Sequence, residues 1–280
     1  MANVPSKVLD RFKENLSKIQ KVIEQAKSRD INESDTVVIV TDVLTSIFGY
    51  DKYTEITHEY AIKNTYCDLA IKLEGTLKFL IEVKAIGITL ADKHYQQALD
   101  YGANNGTEWI ILTNALNWKI YKVKFEKPIK TDLVCDFSIL DLKVKNQNDI
   151  DKLFILCKEG LKKNAIDEFT QHRMVVNKYY IGAILKSDVV FDVTKKEIKK
   201  INPLVKVDDE EVNALITNEV LKRELIDSPE AIEANEKYNK IVKRLEKKKI
   251  KAKDLEKMNA SSLKSSEESV LIIPKEKPEE

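Results

Sequence analysis

The sequence predicts an α/β fold, with helices against a mixed β-sheet and a mainly helical region after it. Three observations carry this expectation: an N-terminal apolar stripe at helical spacing, a run of short strand-like segments between Thr54 and Val123, and a return to helical spacing past Phe125.

The elements follow in order. Val8, Leu9, Phe12, Leu16, Ile19, Val22, Ile23 and Ala26 recur at helical spacing and give an amphipathic helix ending near Ser28. The next segment, Asp35 to Phe48, contains Thr36-Val-Val-Ile-Val40, which alone would pass for a strand. Its context favours a helix: Ser34 can cap the start, Val40, Val43, Leu44 and Ile47 keep a stripe, and Gly49 suits the left-handed residue past its end. A strand is expected at Thr54–Glu59, then a hairpin of Tyr66–Leu73 and Leu77–Lys84. Thr89-x-x-Asp92 reads as a capping box for a helix running to about Asn105, closed by Gly106. Glu108–Thr113 and Trp118–Val123 are two further strands around an Asn114–Asn117 turn. Later helical segments are Asp149–Leu161, a mixed stretch at Met174–Phe191, Asp208–Leu225 and a long helix from Pro229. The chain accordingly divides into the N-terminal helix (1–32), the α/β domain (33–142), the helical region (143–259) and a Ser-, Lys-, Glu- and Pro-rich tail from Ala260, expected to be disordered.

The hairpin holds the candidate site. Centred on Gly75, it sets Cys67 against Val83, Leu69 against Ile81, Ile71 against Phe79 and Leu73 against Leu77 on one apolar face. The other face then carries Asp68 opposite Glu82 and Tyr66 opposite Lys84. Facing like charges are unfavourable on a sheet, so a positive group belongs between them. A divalent cation suits, because Mg²⁺ takes hard oxygen ligands from one or two carboxylates plus substrate phosphate. The competing explanation is a solvent-facing pair whose repulsion Lys84 relieves. Gln97 and Tyr101 add a second signal, since a separation of four places both on one face of the helix after the strand.

Composition excludes several classes. The chain of 280 residues has a formal charge of +1, so attraction to nucleic acid must come from local patches. It contains no apolar stretch of about eighteen residues and no apolar signal core, which predicts a cytoplasmic protein without a membrane span. Cys67, Cys135 and Cys157 are too widely spaced for a disulfide framework or a zinc ribbon, and His58, His94 and His172 show no metal-ligand spacing.

Taken together, Glu33-Ser-Asp-Thr36, Tyr66-Cys-Asp68, Ile81-Glu-Val-Lys-Ala85, Gln97-Ala-Leu-Asp-Tyr101 and Ile111-Leu-Thr-Asn114 with Trp118-Lys-Ile-Tyr121 resemble the PD-(D/E)XK nuclease superfamily. They resemble in particular the N-terminal nuclease domain of type I restriction enzyme R subunits, over roughly Glu33 to Val123 and more weakly to about Leu225. The resemblance implies a restriction-endonuclease-like sheet and Mg²⁺-dependent hydrolysis of DNA, with Mn²⁺ able to substitute. It implies that Asp68 and Glu82 hold the metal, Glu33 supports its shell, Lys84 assists the water or the phosphate, and Gln97 with Tyr101 orients DNA or the site. Asp35 competes with Glu33 for that place. Cys67 stands where the motif's name has proline, and no Gly-x-x-x-x-Gly-Lys-Ser/Thr loop occurs, so the ATP-driven motor is missing and a stand-alone nuclease of phage or plasmid defence or DNA processing is expected. The alternative is a non-cleaving DNA-binding or adaptor protein that keeps the fold. The basic run from Lys237 to Lys253 lies on the long helix and reads either as a phosphate-tracking surface or as a solvated or coiled-coil face; the C-terminal helices could also serve self-association or a partner protein.

Overall fold

The computed structural model describes residues 3–62, 65–91, 94, 96, 99 and 106–268, and over 249–268 the backbone alone. The chain divides into two compact units, Met1–Met174 and Val175–Glu280.

The first unit is built on one six-stranded mixed sheet in sequential order: β1 (Ile56–Ile62), β2 (Thr65–Leu73), β3 (Thr76–Val83), β4 (Trp109–Thr113), β5 (Asn117–Lys124) and β6 (Lys130–Ser138). All neighbours are antiparallel except β3 and β4, which run parallel and end together at the Val83–Thr113 pair. The helices α1 (Ser6–Ser28) and α2 (Glu33–Ser46) bury their stripes in the main core with Leu69, Ile71, Phe79, Ile81, Ile111 and Ile120. Trp118 anchors that core: it is fully buried, donates its indole N–H to Ala115 O at 2.9 Å, meets Phe48 edge-on and stacks on Phe137.

The helix expected over Thr36–Val40 forms, because Thr36, Ile39, Val40, Val43 and Leu44 all face inward. Its cap is Asn32 and not Ser34: the Asn32 side chain accepts the Asp35 N–H at 2.8 Å, and Glu33 becomes the first helical residue.

The hairpin register differs from the expected one near the turn. Glu74 and Gly75 both have positive φ, at 52° and 77°, as a two-residue primed turn requires, so Leu73 faces Thr76 and Lys72 faces Leu77. An irregularity between Ile71 and Lys72 then leaves Lys78 unpaired and restores the expected pairs Ile71–Phe79, Ala70–Leu80 and Leu69–Ile81. The described β2–β3 ladder stops there. Tyr66 pairs with Ala61 of β1 and is exposed, not opposite Lys84, whose N–H goes to Thr113 O at 2.8 Å. Cys67 leaves the expected apolar face and packs with Ile62, Ala70 and Leu80; on β1, Glu59, with a φ of 45°, interrupts the ladder between the Leu69 and Cys67 pairs.

Strand β6 replaces the helical start expected past Phe125. Its irregular burial follows the register shift between Ile120 and Tyr121, which erases a clean alternation. Beyond it come α3 (Gln147–Phe154), α4 (Lys158–Lys162) and α5 (Ala165–Val175), where one helix was expected over Asp149–Leu161. Ile150, Leu153, Phe154, Ile166 and Phe169 belong to the main core, so the first unit continues past Leu142 to Met174. Arg11 of α1 ties this segment down through a two-oxygen contact with Glu159 at 2.7 and 2.8 Å.

The second unit contains α6 (Lys178–Leu185), α7 (Asp188–Ile201), α8 (Asp209–Leu215) and α9 (Pro229–Glu268). After α8 the chain passes through a π-helical turn, Ile216–Val220, and a 3₁₀ turn, Arg223–Leu225, in place of one helix to Leu225. Helices α6 and α9 meet, with small residues buried on both, Ala183 on one and Ala231 and Ala234 on the other, while Gly182 lies against Leu225. Helix α9 runs on past Ala260 to Glu268, because no proline interrupts it after Pro229. Among the described residues, no helix is long and apolar enough to cross a membrane.

Candidate active site

The site lies where β3 and β4 end side by side. Asp68 comes from β2, Glu82 from the last turn of the pleat on β3, Lys84 from just past that strand, and Glu33 from the first turn of α2. The Leu69–Ile81 pair brings Asp68 and Glu82 into line on neighbouring strands. Where the backbone ladder stops, the Asp68 carboxylate takes over: its Oδ2 accepts the Val83 N–H at 2.7 Å. Hence Asp68 is fixed by the strand that carries Glu82.

Glu82 is only 2% exposed. Its Oε1 accepts a hydrogen bond from Lys84 Nζ at 2.6 Å, while its Oε2 is buried with no hydrogen-bond partner among the described residues. Lys84 Nζ also lies 3.7 Å from Glu33 Oε2 at the rim. Glu33 therefore reaches the amine; its neighbour Asp35 is exposed and makes its described contact through its backbone N–H to Asn32.

Burial pushes the Glu82 carboxyl up to about 7, with the charge of Asp68 adding to the effect and Lys84 opposing it. Asp68 is also raised, by burial first, against the pull of the Val83 N–H and of Lys84. For Lys84, burial works to lower the amine, but the Glu82 hydrogen bond and the charges of Glu82, Glu33 and Asp68 outweigh it and the net shift is upward. Lys84 is thus held as an ammonium in contact with Glu82 and Glu33.

Two buried side chains that sequence reasoning left without a role hold the segment after Lys84. Thr36 Oγ1 accepts the Ile86 N–H at 3.2 Å, and it lies one turn from Glu33 on the same face of α2. Asn114 Nδ2 donates to Ile86 O at 3.3 Å and to Ile88 O at 2.9 Å. A fully buried threonine on a helix and an asparagine in a tight turn are the only sequence signals for this clamp.

Gln97 and Tyr101 lie outside the described residues. His94 accepts the Ala91 N–H through Nδ1 at 3.2 Å. Among the described residues, no group of three or more His, Cys, Asp and Glu side chains is gathered as a metal site. Asp68 and Glu82 form a pair.

Residues 32–135 match the family of the type I restriction enzyme R protein N terminus. No curated protein and no solved structure matches the chain. The span that resembles the R protein N terminus takes in Glu33, Asp68, Glu82 and Lys84 with the Gln97 and Tyr101 positions, and it closes within β6.

Proposed function

We propose that this protein is a restriction-type nuclease that hydrolyses DNA phosphodiesters with Mg²⁺, or with Mn²⁺ in its place, in phage or plasmid defence or in DNA processing. The reading rests on the family match and above all on one observation: Glu82 Oε2, a buried carboxylate oxygen without a hydrogen-bond partner among the described residues, beside a second carboxylate. The donor set fits a hard cation. Asp68 keeps one oxygen outside its bond to Val83, Glu82 keeps Oε2, and Mg²⁺ accepts one or two carboxylates with water and phosphate completing its shell. Once bound, the cation would supply a Lewis acid for a non-bridging phosphate oxygen and lower the cost of making hydroxide.

The chain's own groups do the rest. Asp68 and Glu82 fix where the phosphate docks. Lys84, charged and shielded from solvent, lies where negative charge develops on the phosphorane or where the attacking water must be oriented. Glu33 supports the site from the rim through Lys84. Gln97 and Tyr101 are assigned the orienting of DNA or of the site.

The test is cleavage of supercoiled plasmid with Mg²⁺ or Mn²⁺, paired with calorimetric titration of Mn²⁺. Asp68→Ala should lose both cation binding and cleavage. Lys84→Ala should keep cation binding while cleavage falls by about a hundredfold or more, the scale for losing one stabilising group. A second reading, a DNA-binding adaptor that does not cleave, draws on the Lys84–Glu82 contact at 2.6 Å, which occupies an oxygen that a cation could use. Equal DNA retention with metal or chelator, and no cut, would establish it.

A further inference from the structure

Helix α9 of the second unit carries two parallel stripes. Tyr238, Ile241, Val242 and Leu245 follow the i, i+3, i+4, i+7 pattern, and so do Lys240, Lys243, Arg244 and Lys247. At about 100° per residue the basic stripe is turned well away from the apolar one, and Lys248 lies at its edge. All five basic side chains are exposed. Between Lys237 and Lys248 the one acid, Glu246, falls off the basic stripe.

A solvated helix face ordinarily alternates its charges so that i, i+4 neighbours attract. The first turns of α9 do this, with Glu233 and Lys237 in contact at 2.6 Å. Further along, the pattern reverses: Lys240 and Arg244, Lys243 and Lys247, and Arg244 and Lys248 are like-charged at i, i+4, which opposes the helix. Lys240, Lys243, Arg244 and Lys247 make no ion pair with a described residue. A linear stack of about 10 Å with four cations that no described residue pairs is matched by a polyanion of regular charge spacing.

We propose that the Lys240–Lys243–Arg244–Lys247 stripe of α9 is a separate, sequence-independent contact for the backbone of duplex DNA. The choice of DNA among polyanions rests on the nuclease reading; the contact itself does not, and it is measured without cleavage. Each neutralised phosphate steepens the fall of log K with log salt by about 0.9, so four contacts account for a slope of about 3 to 4.

The experiment is fluorescence anisotropy of a short labelled duplex with the full chain in chelator, across about 50 to 200 mM salt. The variant changes Lys240, Lys243, Arg244 and Lys247 to Gln, which has a similar helix propensity, and circular dichroism confirms that helicity is kept. The expected result is a slope shallower by about 3 and affinity lower by about tenfold or more at the low-salt end. A control that changes Lys7, Lys18, Lys21 and Lys27 of α1 to Gln alters net charge equally and should leave both readings near wild type. The pair Lys243→Gln with Lys247→Gln should give about half the change in slope, and it serves if the fourfold variant does not fold. An unchanged slope, an equal loss in the control, or capture of the wild type by phosphatidylserine-containing vesicles but not by duplex would overturn the proposal. Absence of cleavage with Mg²⁺, alongside the expected slope change, would defeat the nuclease reading alone.

Discussion

Replacing Glu82 by Gln should make the metal-free protein more stable at alkaline pH. The Glu82 carboxyl is raised from 4.5 to about 7, mainly by burial, so folding with it ionised costs about 3 kcal/mol relative to its neutral form. The sign follows from proton counting. Below the unfolded value both states hold the proton and nothing is lost; between 4.5 and about 7 the folded state keeps a proton that the unfolded state releases, so stability falls as pH rises; above about 7 the loss is complete. Gln is nearly isosteric and neutral throughout. Its advantage over wild type should therefore grow from near zero at about pH 4 to about 3 kcal/mol at about pH 8. Denaturant titration followed by tryptophan fluorescence reads this well, because Trp109 and Trp118 both lie in the sheet of the first unit. Added Mg²⁺ should reverse the ranking at the higher pH by stabilising wild type alone, by RT ln(1 + [L]/Kd). Parallel stability curves for the two proteins across this range would refute the account of Glu82 as a strained, buried carboxylate.

Two further outcomes test how the fold positions the site. Deleting Lys78 removes the unpaired residue that restores register after the turn; a one-residue slip sends facing side chains to opposite sides, so Mn²⁺ binding should be lost or the turn should rearrange to recover it, and hydrogen exchange of Phe79–Val83 distinguishes the two. Gly160→Ala drives a Cβ into the Phe154 carbonyl oxygen, a backbone atom that cannot swing aside, and thermal unfolding should show a loss of about 2 kcal/mol or more; an unchanged midpoint would contradict the packing of α4.

The sequence alone carried the local facts. The apolar spacing of α1 and α2 depends on neighbours a turn apart, and the Leu69–Ile81 pairing that puts Asp68 and Glu82 on neighbouring strands depends on two strands joined by a short turn, so both are legible without any distant contact. Charge patterning on α9 is of the same kind. What tertiary structure decided were matters of register and reach. A two-residue turn followed by a bulge restored the expected pairs from Ile71–Phe79 to Leu69–Ile81 by a different route, since turn length and bulge offset each other. Strand β6 became a strand by pairing with β5, which its interrupted alternation does not encode. Thr36, whose bond to Ile86 docks α2 against the end of β3, leaves Glu33 Oε2 3.7 Å from Lys84 Nζ and Asp35 exposed. Periodicity says which residues share a face; only packing against a distant strand says what that face meets.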